Sequence, residues 1–479
     1  MAARRLLVAL ALAGCATLPR VELGASPAAV AHWQGAVDWT AAGAEAAQLL
    51  SGYLQVDTAN PPGNETRGAQ YLAALLEKEG IDSETVEFAP GRGSLIARLR
   101  GTGAQKPLCL LSHLDVVPAA AHFWQVDRPP FSGLIDPSGV IWGRGALDMK
   151  GMGLIETMTL IWLKRLKIPL DRDVILLAVA DEEVDNQGMR FVIAKHWPRI
   201  ACSHVVNEGG MGIRDALQKD QTIYAISVAE KGLLWLRMIA RGKAGHGSTP
   251  LPGRAPDRLL DALARIRGRH PEAEWQDSTR ETLAAAGHDL GGVTGFVLQR
   301  PALQTWLAER QLLANPGTRA AMTDTVNVTG FGGADEPNVV PAEVWAQLDC
   351  RLLPGHKPME LLAELKTLVA DPQVRFEVLH AAEANASPWD DPLYRALARH
   401  AVAGKAHAVV GPVLSPGFTD SLLLRPLGVR AYGFVPFAVT EAEAATMHGE
   451  NERVSVQNVQ DGLRILFSAV VDVAALQQP

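Results

Sequence analysis

Residues 174–183, VILLAVADEE, constrain the fold of this chain more than any other stretch. Residues 174–180 are apolar throughout and contain no turn-forming residue, which predicts a strand buried on both faces, as in a parallel sheet. Asp181, Glu182 and Glu183 stand where that strand would emerge, and ligands of open α/β sheets bind beyond the carboxyl ends of the strands. Because adjacent carboxylates repel each other, the stretch predicts a metal ion that holds them together.

Two other apolar runs end in the same way. Residues 107–115, PLCLLSHLD, end in His113 and Asp115, and residues 203–210, SHVVNEGG, carry Glu208 after the apolar part. A single histidine or glutamate after a strand is usually only a solvated loop residue. Three strand-like runs that each end in a metal-type ligand predict one site at one edge of a shared sheet.

The alternation of predicted strands and helices divides the chain into two bodies. A chain of 479 residues is long enough for two domains. Strand and helix patterns predict a doubly wound α/β catalytic domain formed by residues 38–227 and 354–479. Between these parts, residues 343–352 alternate apolar and polar side chains, as a half-exposed antiparallel strand does. Residues 228–353 are therefore predicted to form an inserted α+β lid, with residues 270–291 as a loop-like elaboration of it.

The first residues carry a targeting pattern. Arg4 and Arg5 precede an apolar core at residues 6–13, and Cys15 follows in the sequence LAGC. The pattern predicts a lipoprotein-type signal over residues 1–15, a lipidated Cys15, and a tether over residues 16–37. The alternative is an ordinary secretory signal with a chance cysteine. The preferred interpretation predicts export to the bacterial periplasm, with a lipid anchor in a membrane.

Composition and patterning exclude two classes of partner. The net charge of -7 gives no electrostatic basis for binding nucleic acid. No later apolar run approaches the roughly 18 residues that a membrane span needs, so the lipid anchor is the one predicted link to a membrane. The cysteines that remain, Cys109, Cys202 and Cys350, are predicted to be buried free thiols.

The candidate metal ligands are His113, Asp148, Glu183, Glu208 and His448. Histidine and carboxylate ligands without cysteine suit zinc, cobalt or manganese. Two such ions, roughly 3.5–4 Å apart, can share one bridging carboxylate and activate a water between them. Glu182, beside a ligand but free of metal, is then the predicted general base. Asp115 is predicted to accept a hydrogen bond from the imidazole of His113 and so fix its tautomer.

Several longer motifs occur in order along the chain: SHLDVVP, WGRGALDMKG, ADEE, NEGG, EKG, GHGSTP, NVVP followed by LDCRLLPG, and MHGENE. On these motifs the chain resembles the co-catalytic zinc peptidases and amidohydrolases. That family includes aminoacylase, bacterial glutamate carboxypeptidase, carnosinase and yeast carboxypeptidase S. The motifs extend from Ser112 to Glu452, and together they are highly specific. The resemblance implies an α/β zinc-peptidase catalytic domain with an inserted lid, through which two copies form a homodimer.

The resemblance also implies how the ligands divide between two zinc ions. Asp148 would bridge the ions, His113 and Glu208 would complete one site, and Glu183 and His448 would complete the other. Cobalt and manganese are the alternative metals. Relatives hold the bridging aspartate in a cis peptide, so a cis bond is expected after Asp148.

The remaining roles implied by the resemblance concern the substrate. His246, in the lid, would stabilise the oxyanion, often across the dimer interface, with assistance from Asn327. Arg351 and the loop at Gly417 would hold the substrate carboxylate. One departure lies in that loop, where Phe418 stands in place of a glycine that relatives often have.

These observations predict a metal-dependent hydrolase that cleaves an amide bond in small peptides or N-acyl amino acids with a free carboxylate. The enzyme alternative is a dipeptidase or an aminopeptidase. The alternative outside enzymes is a binding protein on a decayed peptidase scaffold, against which the complete set of ligands and the presence of Glu182 argue.

Overall fold

The structure, a computed structural model, describes residues 17–19, 22–333 and 336–476. The predicted signal, including Cys15, lies outside the described residues. Within them, eleven strands form one large mixed sheet. Across the sheet the order is Ser83–Ala89, Arg92–Leu99, Val174–Val179, Leu108–His113, His204–Asn207, Arg430–Gly433, Thr222–Glu230, Gly212–Arg214 and Ala438–Val439, while Asn385–Ala386 and Ala408–Ser415 also pair with Thr222–Glu230.

The three runs identified in the sequence are neighbouring parallel strands of this sheet. Leu108–His113 lies between Val174–Val179 and His204–Asn207 and runs parallel to both. Val174–Val179 and Leu108–His113 are buried over their full length, as the continuous apolar runs predict. The carboxyl ends of all three strands therefore meet at one edge, which confirms the predicted α/β architecture.

Helices cover both faces of the large sheet. Because side chains alternate along a strand, Leu108 and Leu110 pack into one core while Cys109 and Leu111 pack into another. The first core contains the long helices Lys150–Arg165 and Val456–Ala474, and the second contains Gln187–Ile200. The other helices outside the lid are Ala28–Gly35, Trp39–Leu54, Glu65–Lys78, Asp277–Leu290, Gly292–Leu298, Pro301–Leu303, Glu309–Ala314, Pro316–Met322, Pro392–Val402, Ser421–Leu424 and Glu441–Ala444.

The segment predicted as a lid, which keeps that name below, forms a four-stranded antiparallel sheet with helices Ala255–Arg267 and Pro358–Val369 packed in its core. Its strands, in order across the sheet, are Thr325–Gly332, Glu343–Leu352, Gly232–Arg241 and Val374–Ala382. Burial alternates along Glu343–Leu352, as its sequence predicts. The lid also carries the short paired strands Gly245–His246 and Val339–Val340.

The lid continues further along the chain than the predicted boundary at residue 353. Strand Val374–Ala382 pairs with Gly232–Arg241, and the chain rejoins the large sheet only at Asn385–Ala386. The predicted boundary was wrong because a helix followed by a strand has the same local pattern in either sheet. Only the pairing of the strand decides which sheet it joins.

Residues 270–291 also differ from the prediction. They contain the helix Asp277–Leu290, which packs on strand Ala408–Ser415 of the large sheet. The Thr282 hydroxyl donates to the carbonyl of Pro412 at 2.6 Å, and Gly411 offers the space that this close approach needs. The segment is therefore attached to the catalytic domain and is not a loop of the lid.

The predicted tether is partly folded. Residues Ala28–Gly35 form a helix whose Val30 is buried in the first core, against helix Val456–Ala474. Arg399 donates to the carbonyl groups of Leu23 and Gly24, which fastens the preceding residues to the same domain. No described helix combines the length and the apolar character that crossing a membrane requires. The three described cysteines are buried and free, as predicted.

Gly433 provides a test of the packing beside the predicted site. A Cβ atom on Gly433 would lie 2.2 Å from the carbonyl oxygen of Glu208 and 2.9 Å from its carbonyl carbon. Because backbone atoms must move, Gly433→Ala is expected to lower the free energy of unfolding by about 1–3 kcal/mol. Denaturant unfolding of metal-free protein measures the effect.

Gly35→Ala is the matched control for this substitution. It is the same chemical change, but a Cβ atom at Gly35 meets no atom within 4 Å, and the residue lies in a helix. The control should be neutral or slightly stabilising, since alanine has the higher helix propensity. Equal effects of the two substitutions would contradict the proposed packing.

Candidate metal centre

The fold brings the five candidate ligands together at the carboxyl edge of the large sheet. His113 ends one parallel strand, Glu208 follows the next, and Glu183 lies four residues beyond the third. Asp148 lies in the turn before helix Lys150–Arg165, where the peptide bond to the next residue is cis, as expected. His448 lies in the turn that follows helix Glu441–Ala444.

Asp148 occupies the centre of this group. Its Oδ1 atom lies 3.0 Å from Nε2 of His113, and its Oδ2 atom lies 3.0 Å from Nε2 of His448. Oε1 of Glu208 is 3.6 Å from the same nitrogen of His113, and Oε2 of Glu183 is 3.3 Å from that of His448. The candidate ligands thus form two pairs that share one carboxylate.

The charges of these groups favour a cation. Burial and the negative charge of Asp148 raise the pKa of Glu208 to about 8. Hydrogen bonds to Asp148 and Glu183 raise the pKa of His448 to about 10, so the carboxylates draw positive charge to this point. Oε1 of Glu183 is buried without a hydrogen-bond partner among the described residues. Two imidazoles and three carboxylates without a thiolate fit zinc, cobalt or manganese.

Glu182 lies on the His113 side of the group. One carboxylate oxygen of Glu182, a ring nitrogen of His113 and a carboxylate oxygen of Glu208 all lie within 4.8 Å of one another. Burial and the charge of Glu208 raise the pKa of Glu182 well above its ordinary value. Glu182 and Glu183 are adjacent in the chain, yet Glu183 contacts His448 on the other side of Asp148.

Contrary to the prediction, the imidazole of His113 lies closer to the backbone carbonyl of Asp115 than to its side-chain carboxylate. Nδ1 of His113 lies 2.9 Å from the backbone carbonyl oxygen of Asp115 and 3.7 Å from its carboxylate. A carbonyl oxygen only accepts, so Nδ1 carries the proton and Nε2 is the nitrogen available to a metal. The Asp115 carboxylate instead accepts from the backbone N–H groups of Glu182 and Glu183, both at 3.1 Å.

Sequence reasoning missed Glu452, which organises the other side of the site. Its buried carboxylate accepts from Arg144 at 2.7 Å and from the backbone N–H groups of Gly145, Leu147 and Asp148. Arg144 also donates to the carbonyl of Gly449, beside His448. The pair therefore joins the turns that carry two of the ligands. Arg144 lies in the motif WGRG and Glu452 in the motif MHGENE, and their position in these motifs is the sequence signal that could have identified them.

A second buried network, also missed, lies behind Asp115. Asn60 donates from its side-chain amide to Asp115 and to Asp181, each at 2.9 Å. Arg92 pairs with Glu65 through two hydrogen bonds of 2.7 Å and reaches Asp181 at 2.6 Å. This network holds the first acid of the ADEE stretch away from the metal ligands, which explains why only two of its three acids face the site.

A cleft of about 420 Å³ opens over the ligands and contains residues of both domains. Arg351 and Trp235 reach it from the lid, and Gly417 and Phe418 reach it from the catalytic domain. Arg351 forms hydrogen bonds of 2.7 and 3.0 Å with Asp349, and its guanidinium lies 5.0 Å from the centre of the Phe418 ring. Its Nη1 atom is buried and has no partner among the described residues.

The other two predicted substrate residues lie farther from the ligands. Asn327 is opposite Asp349 in the lid sheet and, with Arg351, lines an adjoining cavity of about 560 Å³. His246 is exposed on the lid and does not line the cleft of its own chain. The backbone N–H and the hydroxyl of Ser248 both lie within hydrogen-bond distance of Nδ1 of His246.

The chain is similar in sequence to a known family and to several characterised proteins. A sequence model of the peptidase family M20/M25/M40 matches residues 109–472. The human N-fatty-acyl-amino acid synthase/hydrolase PM20D1 is 31% identical over 452 residues, covering 90% of this chain and 88% of that protein. Human aminoacylase-1 is 26% identical over 442 residues, covering 89% of this chain and 96% of that protein.

Solved structures share the fold. The M20 family metallo-carboxypeptidase Sso-CP2 from Sulfolobus solfataricus has a TM-score of 0.66 at 20% identity, covering 90% of this chain and 99% of that one. Human carnosine dipeptidase 1 has a TM-score of 0.66 at 16% identity, covering 94% and 98%. Because the family model matches most of the chain and a relative is 31% identical over nearly its full length, the chain belongs to the peptidase family M20/M25/M40 and is a metal-dependent hydrolase of amide bonds.

Proposed function

We propose that the protein cleaves N-acyl amino acids, or short peptides with a free terminal carboxylate, at a centre of two zinc ions. The observation that carries the proposal is the position of Asp148 between two ligand pairs, together with Arg351, which lines the same cleft and whose Nη1 atom has no partner among the described residues. The relatives named for N-fatty-acyl-amino acid and aminoacylase activities support this substrate class.

The two ligand pairs support one assignment of residues to the two ions. His113 and Glu208 would hold one ion, Glu183 and His448 the other, and Asp148 both, with cobalt or manganese as alternatives. When bound, the ions supply Lewis acidity that polarises the amide carbonyl and makes the attacking water more acidic. The raised pKa of Glu182 suits it to take a proton from that water and pass it to the leaving nitrogen.

The rest of the cleft suits an acyl amino acid. Arg351 can offer its unpaired N–H group to the substrate carboxylate, near the backbone at Gly417. The apolar part of the cleft wall would receive the acyl group; it consists of Val184, Met211, Trp235, Phe418, Val435 and Met447. Asn327 lines the adjoining cavity together with Arg351, and we propose that it assists His246 from there.

His246 is proposed as the donor to the oxyanion, supplied by the second copy of a homodimer formed through the lid. Its exposure and its distance from the cleft of its own chain support this arrangement. Since the Ser248 N–H donates to Nδ1, the neutral ring carries its proton on Nε2. That proton would face outward from the lid and would act on charge that develops in the transition state.

We also propose export to the bacterial periplasm, with a lipid anchor at Cys15. The two arginines, the apolar core and the cysteine of residues 4–15 support this location. Mass spectrometry of the N-terminal peptide from a bacterial membrane fraction should find Cys15 at the N-terminus with acyl chains attached. An unmodified cysteine or cleavage elsewhere would contradict the anchor.

Glu182→Gln should abolish turnover and leave the metal content unchanged. Glutamine cannot accept a proton, and a general base is typically worth about 10²–10⁴ in rate. Zinc-reconstituted wild-type protein and this variant should both contain two metal ions per chain, because one open catalytic zinc needs only three of the five ligands. Steady-state kinetics and elemental analysis of the dialysed proteins make the two measurements.

Glu183→Gln is the matched control, since it is the same change one residue along the chain. Glu183 is assigned as a ligand, so this variant should lose metal as well as activity. If Glu182→Gln loses the metal instead, the roles of the two residues are exchanged. One ion or none in the reconstituted wild-type protein would contradict the two-metal centre.

Arg351→Lys should raise KM for N-acyl amino acids by about 10–100-fold, because lysine cannot reproduce paired hydrogen bonds to a carboxylate. The corresponding N-acyl amino acid amides lack the anion, so their KM should change much less. Arg237→Lys is the control, since Arg237 lies on the same lid sheet but does not line the cleft. Equal effects on acids and amides would show that Arg351 only pairs with Asp349.

A further inference from the structure

An apolar helical face lies on the surface of the catalytic domain, far along the chain from the metal ligands. It consists of Val293 and Phe296, in helix Gly292–Leu298, and of Trp306 and Leu307, in the helical turn Gln304–Ala308. These side chains are 83%, 40%, 55% and 49% exposed. Other residues of the same segment are buried, namely Gly295, Leu298, Leu303 and Gln304. The segment is therefore packed on the domain while these four apolar side chains remain exposed.

The same segment is almost free of charge. Arg300 is the only charged residue between positions 291 and 308. Its guanidinium lies over the ring of Phe296, with 3.6 Å between the guanidinium carbon and the ring centre. A surface helix of a globular protein normally presents charged and polar residues to water. Exposed apolar side chains with a tryptophan and a basic residue are typical of helices that lie in a lipid interface.

The N-terminal part of the chain runs to this face. The backbone N–H of Leu18 donates to the carbonyl of Gln299 at 2.9 Å, and Nε2 of His288 donates to the carbonyl of Leu18 at 3.2 Å. Gln299 directly follows the helix that carries Val293 and Phe296. Leu18 is the third residue after Cys15, and three residues span at most about 10 Å. The predicted lipid attachment point is therefore tied to the edge of the apolar helical face.

We propose that the apolar helical face docks on a lipid bilayer and holds the catalytic domain against the membrane. The four side chains would enter the region between the headgroups and the acyl chains, with Arg300 at the headgroups. A lipid chain alone leaves a domain free to rotate about its attachment. The face next to that attachment adds a second contact and so gives the domain one orientation. The proposal concerns a surface apart from the metal cleft and does not depend on the substrate.

Vesicle binding without the lipid tests the docking surface itself. The probe is the chain from residue 16 onward, which contains every described residue but lacks Cys15. It should float with vesicles of phosphatidylethanolamine and phosphatidylglycerol at physiological salt. The quadruple change Val293→Ser, Phe296→Ser, Trp306→Ser and Leu307→Ser should lower the ratio of vesicle-bound to free protein by roughly tenfold or more. It removes most of the apolar area that the proposal places in the bilayer.

A matched control removes exposed apolar side chains elsewhere. Leu217→Ser with Leu427→Ser changes two residues that are 51% and 45% exposed and lie outside the cleft. This variant should bind vesicles like the parent chain. The pairs Val293→Ser with Phe296→Ser, and Trp306→Ser with Leu307→Ser, should each give a partial loss. Unchanged far-UV circular dichroism and an unchanged thermal unfolding midpoint show that each variant is folded.

Three results would overturn the proposal. The parent chain could fail to float with vesicles, or the quadruple variant could bind as well as the control. The parent chain could also self-associate in gel filtration without lipid while the quadruple variant is monomeric, which would make the face a contact between copies. Failure of the proposed enzyme function would leave vesicle binding intact, so the two proposals are tested separately.

Discussion

Mutual repulsion among the acidic side chains around Asp148 is the constraint on which the rest of the site depends. Glu183 and Glu208 lie close to Asp148 at one buried edge of the sheet, Glu182 lies beside Glu208, and burial raises the pKa of each of the three glutamates. Divalent cations relieve this repulsion, so metal binding and the stability of the folded state are coupled. A sheet whose parallel strands end together is the scaffold that can hold so many acids in one place.

Carboxylates near this edge serve two different purposes. The ligands keep oxygens toward the centre, whereas Asp115 and Glu452 accept from backbone N–H groups and thereby hold the turns that carry the ligands. Because Asp115 accepts from the N–H groups of both Glu182 and Glu183, it sets the direction of the proposed base and of a proposed ligand together. These two hydrogen bonds hold the adjacent glutamates so that their side chains lie on opposite sides of Asp148.

The lid and the catalytic domain meet where substrate recognition is proposed. Trp235 and Arg351 from the lid contact Phe418 from the catalytic domain, with aromatic and cation–π geometry. At the junction, buried Lys231 donates to the carbonyl groups of Ala320 and Thr323. Ala320 and Thr323 lie at the end of the helical segment that carries the apolar helical face. One segment therefore carries the proposed membrane contact and supports the start of the lid.

The sequence by itself determined the parallel strands, the edge at which they end and the candidate ligands, because burial on both faces and acids after a strand leave a local pattern. Tertiary structure alone decided which sheet Val374–Ala382 joins and that Asp277–Leu290 packs on the catalytic domain. It also decided that the carbonyl of Asp115 meets His113, and that Glu452 binds the turn of Asp148. Each of these depends on partners distant in the chain, and local periodicity carries no information about which partner a segment meets.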